Sequence, residues 1–161
     1  MSWIEKLSSP NPEERHRAVE QVAAEGRPEM AQALADLLRT AQDDAASLNA
    51  AIQTLGELGA AAIPALSPLL SDPDDDTRLY AAQALGGTKL PAAADHLLPL
   101  LDDPNPNVRY HVIEALGHCG NRAAVPALLA HLPRASFQEA FAILDALGRL
   151  GDPAAIPALQ T

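Results

Sequence analysis

The sequence predicts an all-α protein, a right-handed α-solenoid of about five helix pairs. Three observations carry this expectation. First, nearly the same segment appears five times: "RHRAVEQVA" ending at Ala23, "LNAAIQTLG" at Gly56, "RLYAAQALG" at Gly86, "RYHVIEALG" at Gly117 and "AFAILDALG" at Gly148, at spacings of 33, 30, 31 and 31 residues. A period near 31 marks a stacked helical array. Second, hydrophobic residues make up 48% of the chain but aromatics only 3%. A core built from Ala and Leu suits closely packed helices better than sheets. Third, 14 prolines in 161 residues are too many for long uninterrupted helices.

Each unit reads as two helices. The first follows a turn such as Asp103-Pro104-Asn105-Pro106. There Asn or Asp can cap the helix, and Pro at its first position costs little. Val108, Val112, Ala115 and Leu116 then share one face, and Gly117 is expected to end the helix. The second helix is "AAVPALLAHL" from Ala123, with Val125, Leu128 and Leu132 on one face. It recurs as "AAIPALSPLL" from Ala61 and "AAADHLLPLL" from Ala92. The expected helices are 10–25 with 28–39, 43–56 with 60–71, 74–86 with 91–101, 105–118 with 122–132, and 135–148 with 153 onward. They fall in one domain over 1–161, with repeats at about 9–39, 43–71, 72–101, 103–132 and 134–161.

Charge narrows the function classes. A net charge of -10 argues against nucleic acid, whose phosphates need clustered Lys and Arg. It argues equally against anionic membranes, and weakly favours a basic partner surface. "MSWIEKLSSP" lacks the charged-then-apolar order of a signal peptide, and no apolar run approaches the ~20 residues of a membrane span. Cys119 is the only cysteine, so no internal disulfide forms. A cytoplasmic protein is expected.

"DPNPNVRYHVIEALG" followed by "AAVPALLAHL" resembles a HEAT repeat of the short type found in phycobilisome lyases and many bacterial proteins. The resemblance spans nearly the whole chain and speaks to fold more than function. Members include scaffolds, bilin lyase subunits, DNA glycosylase relatives and an iron hydroxylase. The pattern places an Asp in the turn and an Arg in the next helix. Here these are Asp72 with Arg78 and Asp103 with Arg109, and Ser9 with Arg15 keeps the same offset. The resemblance implies that these charges pair in a ladder between stacked repeats. Half-buried charges need partners in any case, and Arg is the better bidentate donor. Leu48 and Ala140 stand where Arg is expected, which puts the ladder's continuity there in question. "RLGDPAAIPALQT" supplies only about half of a last helix, with no polar cap. The expectation is a piece of a longer protein, or an end covered by a partner or by self-association.

Reactive groups are sparse. His111, Glu114 and His118 lie at i, i+3 and i+7 on one flank of a helix, with Cys119 beside them, and form the candidate metal site. No second cluster completes a ligand set, so no metal and no cofactor is expected. The iron hydroxylase relatives repeat His-Glu dipeptides, and this sequence has none. Cys119 occupies the column of Leu58 and Leu150, as a small apolar filler would. Asp72, Asp74, Asp75 and Asp76 lack the Gly and distal Glu of a calcium loop, and read as helix N-terminal charges.

Two surfaces are candidates for a protein or peptide. In HEAT arrays the second helices line the concave side. Opposite their apolar stripe stand three columns: Gln32, Pro64, Asp95 and Pro126; Asp36, Pro68, Pro99 and Ala130; and Arg39, Ser71, Asp102 and Pro133. The other surface is a column on the first helices, Leu79, Tyr110 and Phe141, turned away from the core. The expected function is a non-catalytic protein-interaction or scaffold module. The alternative, implied only by resemblance, is a bilin lyase-type subunit or chaperone.

Overall fold

The computed structural model describes residues 2–7 and 9–159, and every regular element in them is helical. A short helix, α1 (Trp3–Leu7), precedes five helix pairs. Their first members are α2 (Pro12–Glu25), α4 (Ala45–Leu58), α6 (Asp75–Gly87), α8 (Pro106–Cys119) and α10 (Phe137–Leu150). The second members are α3 (Pro28–Thr40), then α5, α7, α9 and α11 over residues 59–71, 91–102, 122–134 and 153–159. These starts and ends lie within two residues of the sequence-based ones. The exception is α1, which no period announced.

Local chemistry explains each start. Asn11, Asp44, Asp74, Asn105 and Ser136 are the N-caps of α2, α4, α6, α8 and α10, each accepting from an amide of the first turn. This satisfies donors that a helix leaves orphaned. Proline explains why the later second helices are irregular. Pro68, Pro99 and Pro133 each open a 3-10 stretch that closes α5, α7 and α9.

The core runs the length of the stack and is almost entirely Leu, Ala, Val and Ile. Leu34, Leu55, Leu66, Leu85, Leu97, Ile113, Leu116, Leu128 and Ile143 are all fully buried. Each such side chain contributes roughly 1.5–3 kcal/mol of transfer free energy. First helices pack on first helices, α4 on α6, α6 on α8 and α8 on α10.

Glycine corrects one expectation. Gly117 does not end α8, which runs on to Cys119 and stops at Gly120 with φ +71°. Likewise α10 passes Gly148 and stops at Gly151 with φ +59°. Only the second glycine of "LGHCG" and "LGRLG" needs left-handed backbone. The first has a different task. A Cβ on Gly117 would stand 2.9 Å from Cα of Ala146, and one on Gly86 would stand 2.8 Å from Cα of Ala115. These glycines are notches that let the next helix come close.

Candidate functional site

Arginines of the first helices bond acids of the next repeat, with a wiring more specific than the sequence indicated. Arg78, on α6, donates from Nη1 to the backbone carbonyl of Asp72 in its own turn at 2.8 Å. Its Nε and Nη2 reach forward to the carboxylate of Asp103 at 2.8 and 3.0 Å. So Arg78 pairs with the acid of the next repeat, and its own repeat supplies the Asp72 carbonyl and the more exposed carboxylate of Asp75. That bidentate bond is the main reason its guanidinium is pushed above the ordinary Arg range. Arg109 repeats the design, donating to the Asp103 carbonyl at 2.8 Å and to Glu139 Oε1 at 2.5 Å. Arg15 makes the first half of it, donating to the Ser9 carbonyl at 2.6 Å.

The break expected at Leu48 is bridged from elsewhere. Arg39, offered by the sequence as a partner residue, reaches from the end of α3 to the Asp72 carboxylate at 2.7 Å. The amide of Asp74 and then Arg39 hold that carboxyl below its usual range. At the other end, Glu139 replaces the missing turn Asp. It is 2% exposed and closes a capping box on Ser136 with its other oxygen. Burial pushes its carboxyl up, but the Ser136 amide and Arg109 outweigh this and bring it below the usual range. The acidic turn is similarly engaged: Asp74 accepts from Thr77 and Gln42, and Asp75 from Asn105 and Arg78.

The metal candidate does not assemble into a ligand set. Glu114 accepts from the Tyr110 hydroxyl at 3.0 Å, and its other oxygen lies 3.4 Å from His111 Nδ1. That same Nδ1 is 3.2 Å from Gln83. His118 is exposed, one turn farther on. Among the described residues no group of three or more His, Cys, Asp or Glu is placed to hold a metal. Cys119 is buried at 1% exposure, and burial pushes its thiol up to about 11, away from thiolate chemistry.

His131 went unnoticed in the sequence. It lies in α9 just before the closing 3-10 stretch, at 4% exposure, and its two ring nitrogens have no hydrogen-bond partner among the described residues. Its Nε2 lies 3.9 Å from Glu139 Oε1. Burial first, then Arg134 and Arg109, hold its pKa below the usual histidine value against the pull of Glu139 and Asp102.

The two candidate surfaces differ in character. All twelve positions in the three second-helix columns are exposed. Their side chains are short or proline, except Gln32 and Arg39, and Asp36 accepts from Gln32. Asp102, at the end of α7, pairs with Arg134 at the end of α9 at 2.5 Å. On the first helices the column is graded: Leu79 and Tyr110 are half-buried against the core, but Phe141 is 70% exposed. Phe137, four residues earlier, is 87% exposed. With Asn107, Tyr110 and Gln138 the two rings line a shallow cleft of about 390 Å³.

A model of the family described as HEAT repeats matches residues 1–85, 63–141 and 95–161. No match is found among curated proteins. Among solved structures, the chain is similar to the complex of CpcE and CpcF of phycocyanin lyase from Nostoc sp., with 27% identity and a TM-score of 0.59. The match covers 94% of this chain and 65% of that one, just under two thirds of its length. It is also similar to a designed armadillo repeat protein, at 19% identity and TM-score 0.56 over 98% of this chain and 89% of that one. A second such design, in complex with a (KR)4 peptide, matches at 21% identity and TM-score 0.56 over the same shares, 98% and 89%. At those identities the two designs speak to fold alone.

Proposed function

Because the chain belongs to the HEAT-repeat family, we propose that it is a non-catalytic protein-interaction module whose second-helix face receives a basic, extended protein segment. The observation that carries this is the row structure of that face. Twelve positions, repeating every 31 or 32 residues across four helix pairs, are all exposed. Most are short or proline, so a bound chain can approach the helix backbones. Asp36 and Asp95 stand in two of the columns, on a protein of net charge -10. Attraction between exposed charges is long-ranged and screened by salt, so it guides association more than it fixes affinity. The likeness to a designed repeat protein that holds a (KR)4 peptide supports the reading at the level of fold.

A labelled (KR)4 peptide tests it by fluorescence anisotropy. The expected result is binding at about 20 mM ionic strength that weakens several-fold near 0.15 M, where the Debye length falls to about 8 Å. Charge reversal at Asp36 and Asp95 should weaken binding at least ten-fold. No binding at the lower salt, or indifference to both reversals, overturns the proposal.

The likeness to the phycocyanin lyase complex favours a second reading, a bilin lyase-type subunit. Mixing the chain with a linear tetrapyrrole decides it: a clear absorbance shift at stoichiometric protein supports the lyase reading, and an unchanged spectrum removes it.

A further inference from the structure

The column Gly56, Gly86, Gly117 and Gly148 is filled at three places and open at the fourth. A Cβ on Gly56 would meet the backbone of Gly87 at 3.1 Å, and those on Gly86 and Gly117 would meet Ala115 and Ala146 at 2.8 and 2.9 Å. A Cβ on Gly148 would meet nothing within 4 Å. The neighbouring column agrees. Ala82 and Ile113 are fully buried by the next first helix, while Leu144, 31 residues after Ile113, is 47% exposed. So α10 presents the same stacking face that α6 and α8 bury. Phe137, Phe141, Leu144 and Gly148 follow at intervals of 4, 3 and 4 residues. At 100° per residue they fall within an arc of about 60°, a seam of the knobs-into-holes kind.

We propose that this seam is an interface between two copies of the chain, joined tail to tail about a two-fold axis at Leu144. The proposal is independent of the reading of the second-helix face. Continuity with the internal stacking interface says that a helix covers the seam, and the order of side chains says which helix. When two copies of α10 run antiparallel, Leu144 meets its mate at the axis. Phe141 lies about 4.5 Å along one way and Gly148 about 6 Å the other, from the 1.5 Å rise per residue. Each Phe141 ring therefore comes over the Gly148 notch of the other copy, a projection meeting a hollow twice. Charge also selects this partner. The seam carries none, Asp145 beside it is bonded to Arg149 at 2.7 Å, and Glu114 accepts from the Tyr110 hydroxyl. A charged ligand has nothing there to pair with. A head-to-tail chain of copies is disfavoured because α1 packs over α2 and α4 at the opposite end, burying Leu7. A closed two-fold pair remains.

Sedimentation equilibrium of the full chain between roughly 1 and 300 μM tests it. One helix seam lies below the ~1,200 Å² of standard interfaces, so a weak, reversible dimer is expected. Because each copy carries a charge of -10, 0.5 M salt should tighten it relative to 0.05 M. Leu144→Asp should raise the dissociation constant at least ten-fold while leaving the circular dichroism unchanged. In a Cys119→Ser background, Leu144→Cys should give a disulfide-linked dimer on mild oxidation. A strictly monomeric chain at 300 μM, a dimer untouched by Leu144→Asp, or no cross-link at Cys-substituted 144 overturns the proposal.

Discussion

Alanine at Gly117 and at Gly148 should change stability in opposite directions, although the two glycines are equivalent in the repeat. Neither has positive φ, so backbone strain does not enter. Glycine inside a helix costs about 0.5–1 kcal/mol relative to alanine, and the substitution recovers this at both sites. At Gly148 nothing opposes the gain, because the new methyl points into open space. At Gly117 the methyl arrives 2.9 Å from both Cα and Cβ of Ala146. That contact involves backbone, which cannot swing aside as a flexible side chain can. Overpacking of this kind costs about 1–3 kcal/mol, and contact with backbone puts it toward the upper end. The net is a loss of roughly 1–2 kcal/mol. For a chain of this size 1 kcal/mol moves the melting temperature by about 2–4 °C. Gly148→Ala should therefore melt about 1–4 °C higher and Gly117→Ala about 2–8 °C lower, followed by circular dichroism at about 1 μM so that self-association plays no part. Gly86→Ala, with its contact at 2.8 Å, should behave like Gly117→Ala. If all three variants gain stability alike, the column is not a packing notch and the reasoning fails.

Two further outcomes follow from the ladder. Arg78→Met leaves the Asp103 carboxylate, whose side chain is 5% exposed, without its partner, and should lower unfolding free energy by about 3–5 kcal/mol in urea titrations; Arg78→Met with Asp103→Leu should recover part of the loss, and equal losses in both would refute the pairing. His131 is held neutral by burial, so its folded pKa lies below the unfolded value of 6.5. A base with a depressed folded pKa leaves the unfolded state binding more protons, so stability should fall as pH drops through about 6.5 and below, and the fall should be shallower in His131→Leu; parallel curves for the two proteins would sink the assignment.

The helix pairs were legible because their signals are local. A proline-bearing turn, an Asn or Asp cap and apolar residues at helical spacing each lie within a few neighbours. The direction of each Arg was not legible. Arg78 follows Asp72 and precedes Asp103, and spacing alone does not say that it takes a carbonyl from the one and a carboxylate from the other. Glu139 was half legible. "SFQE" is a capping box on its face, but its other oxygen serves Arg109 only because stacking brings α8 beside α10. The two glycine roles were written in "LGELG", "LGHCG" and "LGRLG", where the second glycine is the terminator. Reading the first as the stop came from treating glycine as a breaker. A glycine that admits a neighbouring helix looks the same in sequence as one that ends its own. Phe141 sits in a column with Leu79 and Tyr110, but only stacking order tells that the first two are half-covered and the third bare.

The ladder and the glycine column also explain why α10 differs from α6 and α8. Arg78 and Arg109 each join two repeats at once, fastening their own turn through a carbonyl and the next repeat through a carboxylate. That sequence of rungs runs Arg39 to Asp72, Arg78 to Asp103 and Arg109 to Glu139. It ends there, because Ala140 occupies the place from which an arginine would reach onward. The apolar half of the same interface does not end. Leu144 and Gly148 continue the columns of Ile113 and Gly117 without a break. Within the stack, charge and apolar contact act together to fix the next repeat. On α10 only the apolar contact persists, joined by two phenylalanines that stand in solvent. A second α10 has no turn acid to satisfy, and needs only the seam.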